Sequence, residues 1–157
     1  MIEMAAAGPA EEKGPLPAFF YFALSAEESL LQEPFNRPVE ALKEAPLRCY
    51  SFSLPYHEGG GKGKTAIEEW GALLEQGNDF LTPFFHQCAE QVEQLVAKGL
   101  VDPEKIAAGG LSRGGFAAAH LAALEPRIKS PLQNRHLRSI TTTDNNKDTL
   151  SNRIDQS

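Results

Sequence analysis

Apolar positions fall into two kinds of run along this chain, and their alternation is the first guide to its fold. Ala18-Phe19-Phe20-Tyr21-Phe22-Ala23-Leu24 is an unbroken apolar run of strand length, the pattern of a strand covered on both faces. Residues 47–54 read as a second strand, stopped by Pro55, and residues 105–111 as a third, short and built of small side chains. Between them the spacing becomes helical. Ile67, Trp70, Leu73 and Leu74 share one face of a helix that stops at Gly77. Phe84, Phe85, Cys88, Val92, Leu95 and Val96 share one face of a longer helix that opens at Thr82 and Pro83 and stops at Gly99. Residues 114–124 form the next helix.

Start signals agree with these periods. Ser25-Ala26-Glu27-Glu28 and Thr65-Ala66-Ile67-Glu68 both have capping-box spacing, in which a hydroxyl and a carboxylate each bond the other residue's backbone N–H. Pro34 and Pro38 restrict residues 34–44 to short pieces with a helical turn or two. Asp102-Pro103-Glu104 reads as a turn. Strands alternating with helices of this length imply right-handed crossovers and a parallel sheet. The expected fold class is therefore α/β, with about three strands and flanking helices.

Charge divides the chain. Residues 1–130 hold 18 Asp/Glu against 11 Lys/Arg, whereas residues 131–157 hold three against four and no aromatic residue. A segment that polar buries too little apolar surface to offset its ordering entropy. The expected organisation is a flexible lead over residues 1–15, one domain over 16–129 and a polar, disordered tail over 130–157. No basic stripe invites nucleic acid, and no apolar run approaches membrane-spanning length. Without a basic start followed by an apolar core, the expected setting is the cytoplasm, with Cys49 and Cys88 reduced.

The chemistry concentrates at Gly110-Leu111-Ser112-Arg113-Gly114, a Gly-x-Ser-x-Gly pentapeptide with a strand before it and a helix after it. That context makes a nucleophile elbow. Gly110 and Gly114 remove the side chains that would collide at so sharp a turn. The turn lifts the Ser112 hydroxyl above the sheet edge and aims the Arg113 N–H, with the positive end of the following helix, at the same space.

On these residues, and on the stretch from Val101 to Phe116 as a whole, the chain resembles the α/β-hydrolase superfamily, in particular its dienelactone-hydrolase and prolyl-oligopeptidase-like branches. Leu54-Pro55-Tyr56-His57-Glu58-Gly59 is similar to the loop after that family's fourth strand. The resemblance covers roughly residues 18–129. It implies hydrolysis of a carboxyl ester or peptide bond of a small substrate through an acyl-enzyme on Ser112. It also implies a second oxyanion donor at the backbone N–H of Ser25 or Ala26, and the strand order second, first, third. His57 and Glu58 would be substrate contacts, or His57 a base. The family's acid and histidine follow the serine in sequence, and here Arg127-Ile128-Lys129 starts a strand that runs into Ser130-Pro131. His136 with Asp144 or Asp148 lies in the polar tail, where nothing fixes geometry. The expectation is a half domain of poor activity.

The chain holds other candidate constellations. The interaction-module alternative has a partner protein covering the bare edge of the third strand. Gly61-Lys62-Gly63-Lys64-Thr65 suggests phosphate or nucleotide binding over residues 59–65, but Glu58 stands where the full motif needs glycine. His86 and Cys88, with Cys49 or His57, lack the paired spacing of metal ligands. No metal or cofactor is expected. His120, on the elbow helix, reads as a packed or partly exposed side chain.

Overall fold

Phe20 and Phe22 turn to one face of a central strand, and Phe19 and Tyr21 to the other. The structure, a computed structural model, describes residues 2–129 and shows why a two-faced strand is needed. Strands β1 (Met4–Ala7), β2 (Leu16–Phe22), β3 (Arg48–Phe52) and β4 (Val101–Gly110) form one mixed sheet in the order β1-β3-β2-β4. β3, β2 and β4 are parallel, and β1 runs antiparallel along β3. Helices α1 (Ala26–Leu31) and α2 (Arg37–Ala41) cover one face. α4 (Leu81–Ala97), α5 (Arg113–Leu124) and Trp70 of α3 (Gly63–Glu75) cover the other. The larger core joins Phe20, Phe22, Tyr50 and Phe52 of the sheet to Phe85, Val92 and Leu121 of the helices. This is an α/β fold, with the three parallel strands in the order expected.

Four expectations differ from the structure. Residues 4–7 are an edge strand rather than part of a flexible lead, with Met4 opposite Phe52 and Ala7 opposite Cys49. The Thr65 capping box does not form, because α3 begins two residues earlier, at Gly63, with no side-chain cap. Ile67 and Leu74, expected in the core, are exposed. The Asp102 turn exists in miniature, its carboxylate accepting the Glu104 N–H at 3.0 Å. The strand nevertheless continues through it, and residues 102–105 form an irregularity opposite Pro17.

Elsewhere local chemistry holds. Ser25 caps α1 as a complete box with Glu28. Gly77 and Gly99, at φ 69° and 72°, end α3 and α4 in the left-handed conformation that glycine tolerates. Ile128 forms an isolated parallel bridge to Ile106 beside β4, and the Lys129 N–H donates to the Ile106 carbonyl at 3.0 Å. The tail and His136, Asp144 and Asp148 lie outside the described residues. Among the described residues no helix is long and apolar enough to cross a membrane.

One buried cation organises the amino end of the sheet. Arg48 is 3% exposed and donates to the carbonyl oxygens of Pro9, Ala10, Gly14 and Leu100 at 2.5–2.9 Å. It ties residues 9–14 and the approach to β4 onto β3, adding to the β1–β3 pairing that holds residues 4–7.

Candidate active site

Parallel strands gather their carboxyl ends on one side of a sheet, and the loops leaving β2, β3 and β4 meet there. Ser112 sits at the tip of the loop leaving β4, exposed, with φ 54° and ψ −121°. For a residue with a Cβ that conformation costs about 1–3 kcal/mol and persists only where its surroundings impose it. The glycines create the room. A Cβ on Gly110 would stand 2.2 Å from the Gly114 carbonyl, and one on Gly114 would stand 1.9 Å from the Phe22 oxygen. The Leu111 N–H donates to the Phe22 carbonyl at 2.9 Å, so the turn is also bonded to β2. The carbonyls of Leu111 and Ser112 accept from Gly114 and Gly115, which starts α5 immediately. The Arg113 N–H, at the first position of α5, makes no hydrogen bond among the described residues.

A cavity of about 260 Å³ opens beside Ser112, lined by Ala23, Leu24, Phe35, Ile67 and Leu111. Its lining explains two exposed apolar side chains: Ile67 and Leu111 border the cavity rather than the core.

The expected second oxyanion donors are engaged. The Ser25 N–H donates to the Glu28 carboxylate at 3.2 Å, as half of the capping box, and the Ala26 N–H donates to the Ser53 hydroxyl at 2.7 Å. The N–H groups of Ala23 and Leu24 both donate to the buried Ser29 hydroxyl, at 3.1 and 3.0 Å. Four consecutive amides after β2 therefore have partners, whereas at the elbow the N–H groups of Ser112 and Arg113 make no hydrogen bond among the described residues, and that of Arg113 opens the helix.

His57 is displaced from its expected role. It is 0% exposed, and its Nε2 lies 2.8 Å from Nη2 of Arg113. Burial, and then the positive charge of Arg113, push its pKa down to about 4, against an opposing pull from Glu28. A fully enclosed imidazole whose Nε2 faces a guanidinium exposes no atom at the surface and makes no hydrogen bond to Ser112. Glu58 is exposed and lies beside Tyr56, lining a cavity other than that of Ser112. His120 is exposed, with Nδ1 3.1 Å from the Phe116 carbonyl and its ring stacked on Phe85. No histidine among the described residues hydrogen-bonds Ser112.

The glycine loop has internal ligands of its own. Gly59 and Gly61 donate to the carboxylates of Glu3 and Glu28, at 3.3 and 2.7 Å, and Gly60 donates to the His57 carbonyl. These are amides that a phosphate would need. Among the described residues no group of three His, Cys, Asp or Glu converges as metal ligands would. Cys49 and Cys88 are free thiols buried in separate cores.

Two features escaped the sequence reading: the Arg48 carbonyl cage and the Arg113 side chain. The guanidinium carbon of Arg113 lies 4.7 Å from the centroid of the Trp70 ring. No short-range pattern announces such a contact, because Trp70 and Arg113 stand on different helices. Comparison with protein-family models and with curated proteins finds no match for this chain.

Proposed function

We propose that this chain carries the nucleophile half of a serine-hydrolase site, related to that of the α/β-hydrolase superfamily. Ser112 would attack the carbonyl of a carboxyl ester or peptide bond to form an acyl-enzyme, with the Arg113 N–H stabilising the oxyanion. The observation that carries this reading is the backbone of Ser112, at φ 54° and ψ −121° between two glycines that admit no side chain. The apolar cavity beside it suits a short acyl group. Two free, separately buried thiols accord with a cytoplasmic setting.

Activity is expected to be poor. Among the described residues Ser112 has no hydrogen-bonded base and the expected second oxyanion donors are engaged, and such a serine retains only a small part of the full mechanism's acceleration. A fluorophosphonate probe tests both halves of the proposal. Slow labelling that disappears in Ser112→Ala is the expected result. Equal labelling of the variant would remove Ser112 from the reading, and rapid labelling of the wild type would refute the poor activity.

A second reading, an interaction module, is favoured by the edge of β4. N–H and C=O of one residue in a parallel strand point to the same side. Ala108 and Gly110 therefore face the same side as Ile106, and among the described residues only Ile106 finds a partner there. Size-exclusion chromatography separates the readings: a monomer at all concentrations, with no dye-binding apolar surface, counts against the module.

A further inference from the structure

Arg113 brings two groups to the elbow, a backbone N–H and a guanidinium, and the second is held as firmly as the first is free. The guanidinium carbon lies 4.7 Å from the Trp70 ring centroid, and Nη2 lies 2.8 Å from Nε2 of His57. Arginine offers donors only, so Nε2 accepts and the imidazole proton resides on Nδ1. Both partners of the guanidinium are fixed by one loop. Trp70 Nε1 donates to the Pro55 carbonyl at 2.7 Å. The His57 N–H donates to the Leu54 carbonyl at 2.9 Å, and its own carbonyl accepts from Gly60. Among the described residues no carboxylate pairs with Arg113.

The glycines of the elbow make room for a strained turn but exert no pull on it. Backbone hydrogen bonds tie Leu111 to β2 and start α5, and the residue directly after Ser112 adds a side-chain hold to them. We propose that the Arg113 side chain is a positioning residue for Ser112: clamped between the Trp70 ring and the His57 imidazole, it fixes the Ser112–Arg113 peptide and the N–H that an oxyanion would meet. This rests on the reading of Ser112 as a nucleophile and adds to it an acid-sensitive lock.

The lock holds only while the imidazole is neutral. The charged groups facing His57 are Arg113 from α5 and Glu28 from α1, while the α3 contact of the same guanidinium is the uncharged Trp70 ring. With its pKa near 4, His57 stays an acceptor at neutral pH and becomes a cation against a cation in acid.

Trp70 is the sole tryptophan of the chain, so its fluorescence reads the clamp without requiring any activity. Emission and acrylamide quenching would be followed against pH, with circular dichroism as the control for folding. The wild type is expected to show a step centred near pH 4. Arg113→Met should abolish that step and slow fluorophosphonate labelling of Ser112 by about tenfold, the order expected when a reacting group is misplaced by a fraction of an ångström. His57→Gln keeps an acceptor that does not titrate, so it should retain the neutral-pH emission and lose the step. Arg113→Lys should restore the labelling only in part, because an ammonium cannot both stack and donate in that geometry.

Arg113→Met with unchanged emission and unchanged labelling would overturn the proposal. So would an acid step that survives in both Arg113→Met and His57→Gln. A step that depends on both residues, in a protein whose wild type never labels at Ser112, would uphold the clamp and refute the nucleophile reading, so the two failures are distinguishable.

Discussion

At the amino end of the sheet Arg48 donates to four carbonyl oxygens, and at the carboxyl end Arg113 finds one imidazole nitrogen and one aromatic face. Neither guanidinium pairs with a carboxylate among the described residues. The difference lies in saturation. Every nitrogen of Arg48 is bonded, with four of its five N–H groups in use, so the residue serves the fold. Arg113 keeps Nη1 buried without a partner, and the adjoining His57 keeps Nδ1 in the same state. An unsatisfied buried donor costs about 1–3 kcal/mol. That cost, together with the strain of Ser112, is concentrated where the three parallel strands end. Saturated polar chemistry marks the structural end of this sheet, and unsaturated polar chemistry marks the end that carries the candidate site.

The largest expected effect breaks the saturated end. Arg48→Met leaves four carbonyls without their donor and should lower stability by about 3–5 kcal/mol, read as a fall in the urea midpoint. Labelling of Ser112 in the fraction that remains folded should be unchanged. Gly114→Ala attacks the other end. Its Cβ would lie 1.9 Å from the Phe22 oxygen, so a loss of about 3 kcal/mol is expected, with Ser112 labelling abolished even where circular dichroism shows a native spectrum. If the two variants behaved alike in both assays, the contrast between the ends would collapse.

A smaller effect sharpens the contrast through pH. The His57 pKa is lowered on folding, from 6.5 to about 4. The unfolded chain therefore takes up this proton first. The stability linked to neutral His57 is complete above about pH 6.5, declines as pH falls, and is lost once pH has passed through about 4. Comparing urea midpoints of the wild type and His57→Gln between pH 7 and 3.5 isolates that contribution; parallel curves would count against it. The smallest effect is expected at Thr65→Ala. Its hydroxyl caps nothing, so stability should move by less than about 0.5 kcal/mol, against about 1 kcal/mol for Ser25→Ala, where the box is closed.

What the chain disclosed in advance follows the range of the interactions. The strand-elbow-helix unit from β4 to α5, the dense run of β2 and the cap of α1 rest on residues within a few positions of one another, and all are legible. β1 is not. Met4-Ala5-Ala6-Ala7 has no strand signature of its own, and its place depends on pairing with β3 some 45 residues away. The oxyanion expectation failed for an instructive reason. A capping box at Ser25 and a free Ser25 N–H exclude each other, because the box consumes that N–H. His57 was visible as a loop residue beside the site, but its burial depends on Trp70 and Arg113 arriving from two other elements.

Arg48 also has a consequence for the order of events in folding. Its four bonds span 34 to 52 residues of chain, and their acceptors lie in the segments leading into β2 and β4. They can close only after β2 has paired with β3 and β4 with β2, late on the route to the native state. Loss of Arg48 should therefore leave the refolding rate almost unchanged and accelerate unfolding. The arginine that contributes nothing to the candidate chemistry would set how long that chemistry's scaffold endures.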